Sequence, residues 1–176
     1  PNIRKDGRAD YVAKIWFDKA RFDGFASKPL ASGERWWRGD LHMHTGHSDG
    51  SCLSRKGAKV PCPTYKTLEA ATARGLDFVS VTDHNATSHY GALRELTRYF
   101  DDLLVIPGRE VTTFYGHANL FGPTAFVNFQ LGSPHAPKLA DILKEIEAAG
   151  GVISINHPAM PSGEVCMGCG WSASDT

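Results

Sequence analysis

Short apolar runs alternate along this chain with segments of helical periodicity, and that alternation restricts the fold more than any other feature. The strand-like runs are Arg38 to His44, Leu76 to Thr82, Asp102 to Pro107, His117 to Phe121 and Val152 to Asn156. Between them, Thr64 to Arg74 places Tyr65, Leu68 and Ala71 on one helical face and stops at Gly75. Ser88 to Phe100 does the same with Leu93, Leu96 and Phe100. Leu139 to Ala149 does it with Ile142, Leu143, Ile146 and Ala149, ahead of Gly150-Gly151. Ser48 to Pro63, rich in Gly, Ser, Pro and Lys, is read as a loop. Strands alternating with helices predict an α/β fold built from parallel βα units. Such folds carry their functional residues at the C-terminal ends of strands. Residues 1–36 lack this pattern and are read as an N-terminal extension or the end of a preceding domain; the domain proper is expected over 37–176.

The polar residues at those strand ends share one chemistry. His42 and His44 lie two apart, so in a strand both imidazoles point to one side, as two ligands of one metal must. Asp49 follows in the small-residue run Thr-Gly-His-Ser-Asp-Gly50 and can fold back on them. The second strand ends in Thr82-Asp83-His84-Asn85, where either Asp83 or His84 can bind metal or orient the other. The third ends in Gly108-Arg109-Glu110. There Glu110 has two oxygens with which to bridge ions, and Arg109 is a candidate contact for an anionic substrate or a salt-bridge partner. His117 opens the fourth run, and His157 closes the fifth in Asn156-His157-Pro158. Each site alone has a plain alternative: exposed histidines on a strand, or an aspartate capping the next helix. Their coincidence at successive strand boundaries favours a metal cluster. Imidazole with carboxylate suits zinc, iron or manganese. His89, within a helical stretch, and His135, in a proline-rich loop, are read as solvated, and His47 as facing either substrate or solvent.

Charge and composition count against other classes. Lys plus Arg equals Asp plus Glu at 19 each, so the basic excess usual in nucleic-acid binders is missing and no nucleic-acid partner is expected. The apolar runs fall far short of the ~20 residues that span a bilayer, so no membrane partner is expected either. Cys52 with Cys62, and Cys166 with Cys169, form two close pairs. Read as disulfides they lean towards a periplasmic or secreted protein; read as free thiols, towards a cytoplasmic one. Spacing favours the first pair over the second. Cys166-Met-Gly-Cys169 lacks the second pair a zinc ribbon needs, which argues against structural zinc there.

The run Asp40-Leu-His-Met-His-Thr-Gly-His-Ser-Asp-Gly50, with Thr82-Asp83-His84-Asn85, Gly108-Arg109-Glu110 and His157-Pro158, resembles the PHP (polymerase and histidinol phosphatase) superfamily. Arg38-Gly-Asp-Leu-His42, Gly108-Arg-Glu-Val-Thr-Thr113, Gly116-His-Ala-Asn-Leu-Phe-Gly122 and Cys166-Met-Gly-Cys-Gly-Trp171 resemble its CehA/McbA-like metallohydrolase branch. The resemblance covers roughly residues 37 to 160. It implies a distorted (β/α)7 TIM-like barrel holding two or three divalent ions (Zn, Mn or Fe). His42, His44 and Glu110 would hold one ion. Glu110 would bridge to a second held by His117 and His157. Asp49 and His84 would hold a third, with Asp83 acting from behind. The implied activity is hydrolysis of a small-molecule phosphoester, or of a carboxylic or carbamic ester, by metal-bound hydroxide. The alternative is a non-catalytic or nuclease-like metal-binding module of a larger protein. The family pattern closes with an Asp-x-His that is not found after His157. About five of seven strands are therefore expected in these residues, with the Asp-x-His supplied by a further segment or a second chain.

Overall fold

The computed structural model describes Asn2–Ile3, Ala9–Asp10 and residues 37–173. β1 (Asn2–Ile3) and β2 (Ala9–Asp10) pair antiparallel. The remaining elements run β3 (Gly39–Met43), β4 (Ser51–Leu53), β5 (Lys59–Pro61), α1 (Thr64–Ala73), β6 (Phe78–Val81), α2 (His89–Leu96), β7 (Leu104–Thr113), β8 (Gly116–Phe121), α3 (Leu139–Ala148) and β9 (Val152–Ile155). The expected strands and helices are all found, but Ser48 to Pro63 is not simply a loop. Its β4 and β5 pair in register, with Cys52 opposite Val60.

One curled, half-barrel sheet has the order β3-β6-β7-β8-β9. The first three strands are parallel, as βα connections require. β8 departs from the all-parallel expectation: it runs antiparallel to both β7 and β9. Only Phe114 and Tyr115 separate β7 from β8, and so short a connection can only close a hairpin. The hairpin also extends β7 to ten residues, so Glu110 lies inside the strand, opposite Asn119, rather than at its exit. Running backwards, β8 brings its first residues to the edge where β3, β6 and β9 end. The five strands thus present one common functional edge. No closed seven-stranded barrel is formed among the described residues.

Helix burial follows the apolar spacing. α1 buries Leu68 and Ala71, α2 buries Tyr90 and Leu93, and these pack on Val79, Val81 and Val105 of the sheet. α3 buries Ile142 and Ile146 against Val111 and Leu120. A fully buried Leu such as Leu68 or Leu120 contributes about 1.5–3 kcal/mol. Asp141 starts α3 by accepting the Lys138 N–H at 3.0 Å, and Gly75 ends α1 in the left-handed region at φ 66.

Alternation along β7 decides what reaches the site. Val105 and Val111 pack on the helix-side clusters, and Arg109 shares their parity. Leu104 and Ile106 belong to a separate cluster with Leu41, Phe78 and Phe121, and Glu110 shares theirs. In β3, a register irregularity between Asp40 and Met43 places Leu41 and Met43 against different clusters. That leaves His42 and His44, either side of Met43, on the Glu110 face.

Candidate metal centre

Glu110 is the hub. It is fully buried, and five imidazoles surround its carboxylate. Oε2 lies 3.2 Å from His42 Nε2, 3.4 Å from His44 Nε2 and 3.2 Å from His84 Nδ1. Oε1 lies 3.3 Å from His117 Nδ1 and 3.5 Å from His157 Nε2. Asp49 folds back from its loop as expected, with Oδ1 3.6 Å from His44 Nδ1 and Oδ2 3.6 Å from His84 Nε2. Gly50 makes this return feasible, because a Cβ there would collide with the main chain of His44 and Thr45. Seven residues expected to bind metal (His42, His44, Asp49, His84, Glu110, His117 and His157) therefore meet at one sheet edge.

The supporting residues explain how. Asp83 is completely buried and does not touch the cluster. It accepts hydrogen bonds from the Thr45 N–H (2.8 Å), the Thr45 hydroxyl (2.7 Å) and the Ser48 hydroxyl (2.6 Å), fixing the loop that carries Asp49. Asn85 sits in the left-handed region at φ 47, which asparagine tolerates. Its side chain pairs both ways with the Thr112 main chain at 2.9 Å, and its N–H donates to the Glu110 carbonyl at 2.9 Å. This carries the β6–β7 pairing past its last register pair and aims His84 at Glu110. Asn156 donates to Glu110 Oε1 and to Asn119 Oδ1, both at 2.9 Å, and Asn119 in turn donates to the Leu41 carbonyl. His157 follows at φ 27, a strained backbone of the kind found at functional sites.

Asn85, Asn119 and Asn156 were not legible as site residues from composition or strand ends. For Asn119 a signal existed: it lies two residues after His117 in a strand, hence on the same face. His89 corrects an expectation. Rather than solvated, it is fully buried at the start of α2, donates from Nε2 to the Gly108 carbonyl at 2.9 Å, and holds Nδ1 3.8 Å from Asp83. His135 is exposed, as expected. His47 is exposed too, with Nδ1 2.8 Å from the Ser88 hydroxyl oxygen. The structure does not bring Arg109 to the cluster. It is 2% exposed on the helix-side face, and its Nη2 donates to the Ala125 carbonyl at 2.9 Å. The cysteine preference is reversed as well. Cys166 and Cys169 are bonded, while Cys52 and Cys62 are free thiols.

Proton placement shows what the cluster is built to hold. His117 Nε2 lies 3.0 Å from the Met167 carbonyl, and His157 Nδ1 lies 3.1 Å from the Cys169 carbonyl. A carbonyl only accepts, so the protons sit on those nitrogens, and a neutral ring then has a lone pair on the other. Both lone pairs point at the buried Glu110 carboxylate. Lone pairs facing an anion are repulsive unless a cation lies among them. His117 Nδ1 and His44 Nδ1 are, in addition, buried without a hydrogen-bond partner.

The charge states agree. Burial alone would raise the Glu110 carboxyl. Hydrogen bonds from His42 and Asn156, with the charges of His84 and His42, overcome it and hold the carboxyl down at about 2. Burial pushes His44 and His117 down, keeping them neutral. The Glu110 hydrogen bond raises His42. The ionised carboxylate and the neutral imidazoles of His44 and His117 are in the form that binds metal, whereas His42 would give up a proton on binding. Donor atoms lie within 4.8 Å of one another in the sets His42–His44–Glu110, His44–Asp49–His84 and His84–Glu110–His117, and also in His117–His157–Cys169, whose sulfur is engaged in the disulfide and has no thiolate to offer. The residues thus fit more than one divalent ion, with Glu110 shared between two sets.

No family model matches the chain, and no curated protein is similar to it. Among solved structures, it is similar to a two-domain protein from Bacteroides vulgatus for which a PHP-like metal-dependent phosphoesterase is predicted. The TM-score is 0.50 at 23% identity, covering 69% of this chain and 35% of that one. It is also similar to a protein from Bifidobacterium adolescentis to which metal-dependent phosphoesterase activity has been ascribed, with TM-score 0.50 and 15% identity, covering 76% of this chain and 72% of that one. These likenesses define the fold. The chain spans about a third of the length of the two-domain protein.

Proposed function

We propose that this chain carries the metal centre of a PHP-type, CehA/McbA-like hydrolase that cleaves phosphoesters or carboxylic or carbamic esters of small molecules. One observation carries the reading: His117 and His157 direct lone pairs at the buried carboxylate of Glu110. The fold shared with two proteins described as metal-dependent phosphoesterases supports it. In the assignment proposed, His42, His44 and Glu110 hold one ion. Glu110, His117 and His157 hold a second, and Asp49 and His84 a third.

When bound, such ions acidify a coordinated water and polarise the oxygen of the scissile group. The chain's own residues do the rest. Asn156 fixes which lone pairs Glu110 presents. Asp83 holds the loop bearing Asp49. His42 and His157, at 33% and 29% side-chain exposure, leave the centre open for a substrate to approach. The test is turnover of a phosphomonoester panel and of aryl carbamates, with and without Mn²⁺ or Zn²⁺, on protein containing the whole chain. Metal-dependent hydrolysis of either class is expected. Full metal loading with no turnover of either class contradicts hydrolysis and favours a non-catalytic metal-binding module.

A further inference from the structure

The proposed assignment leaves the Cys166–Cys169 loop without a role, yet that loop touches the centre at two points. The Met167 carbonyl takes the His117 proton and the Cys169 carbonyl takes the His157 proton, at 3.0 and 3.1 Å. Both histidines owe their metal-facing lone pairs to these two acceptors. The stretch between the cysteines has little room to move. Gly168 is left-handed at φ 75, and a Cβ there would run into the Thr113 carbonyl oxygen. Cys169 is 1% exposed, and its Sγ lies within 4.8 Å of a ring nitrogen of each histidine. The chain after Cys169 is tied down by the Gly170 N–H to the Ser162 hydroxyl (2.9 Å) and the Trp171 N–H to the Pro158 carbonyl (3.0 Å). The disulfide closes the other side.

We infer that the Cys166–Cys169 disulfide is a positioning clasp for one half of the metal centre: it holds the two carbonyls that set the tautomers of His117 and His157. His42, His44 and Glu110 have no contact with the loop through those carbonyls, so opening it affects one ion selectively. The inference rests on the reading of the cluster as a metal centre and is independent of which ester is cleaved. Loss of such an outer hydrogen bond typically costs 10–100-fold in metal affinity. Cys166 is partly exposed and is therefore the sulfur open to attack. A dithiol reagent reduces the bond in two steps. Its thiolate attacks Cys166 Sγ, and the Cys169 thiolate leaves and takes up a proton. The reagent's second thiol then displaces Cys166, which is protonated in turn, and the reagent closes to its cyclic disulfide.

The experiment is a stepwise cobalt(II) titration against a competing chelator, read by visible absorption. It compares the oxidised protein, the protein reduced with dithiothreitol and desalted without oxygen, and Cys166→Ser. The expected result is that one step weakens 10–100-fold in both the reduced protein and the variant, while at least one other step is unchanged. Reoxidation with a small-molecule disulfide restores that step in wild type only. Unchanged steps overturn the clasp, and so does equal weakening of every step. Tighter binding on reduction, with a thiolate-to-cobalt charge-transfer band, also overturns it, by making Cys169 a ligand. If no form binds cobalt, the clasp and the metal-centre reading fall together, whereas the other contrary results leave the metal centre standing.

Discussion

Asn156 donates its Nδ2 proton to Oε1 of Glu110 at 2.9 Å, in a buried position where the carboxylate has no access to water. This bond orients the one carboxylate shared by two donor sets. Asn156→Ala should lower metal affinity about 10–100-fold, as outer hydrogen bonds to ligands generally do. Competition with a chelator of known affinity checks it, and unchanged affinity would assign the orientation of Glu110 to other groups.

Arg109 has the opposite standing. Adjacent in sequence to Glu110, it points to the other face of β7 and bonds the Ala125 carbonyl. Arg109→Met should therefore leave KM for an anionic ester unchanged while altering stability. A several-fold rise in KM, with stability held, would return Arg109 to the substrate.

Asp83 supports the site from beneath. Asp83→Ala strands the N–H and hydroxyl of Thr45 at a fully buried position and frees the part-buried Ser48 hydroxyl. The expected cost is about 1–3 kcal/mol of stability for unsatisfied buried groups. Because the Asp49 loop hangs on this carboxylate, metal content should fall too. Chemical denaturation and metal analysis of the same samples test both parts.

The metal-stripped protein should lose stability in acid in two stages. His44 and His117 have values lowered by burial, so the unfolded chain binds their protons first as pH falls below 6.5. Glu110 is held at about 2 against an ordinary 4.5, so its contribution is present above 4.5 and is lost as pH falls towards 2. That contribution is roughly 3 kcal/mol. His42, raised by Glu110, works in the other direction: its contribution is full below 6.5 and fades as pH rises through its folded value. Urea denaturation of chelator-treated protein across this range should show a flatter profile below 4.5 for Glu110→Gln. Equal slopes in wild type and variant would contradict the charge assignment.

Much of this site was legible in the sequence because its signals are local. His42 and His44 are two apart on a strand, His117 and His157 mark strand boundaries, and Glu110 follows an apolar run that the hairpin extends past it. Helices α1, α2 and α3 were legible from apolar spacing. What was not legible depends on distant partners. The burial of His89 follows from α2 lying over Gly108, nineteen residues on. The Asn119–Asn156 relay joins strands far apart in sequence, and the opposite facing of Arg109 and Glu110 becomes decisive only once the helices are packed.

The proposed function makes the polar edge around Glu110 a divalent-metal centre. An element-resolved metal count on purified protein, beside Glu110→Gln, tests it most directly. More than one divalent ion per chain is expected in wild type, with a clear loss in the variant. Less than about one ion per chain, unaltered by the substitution and with folding stability indifferent to chelators, would contradict it.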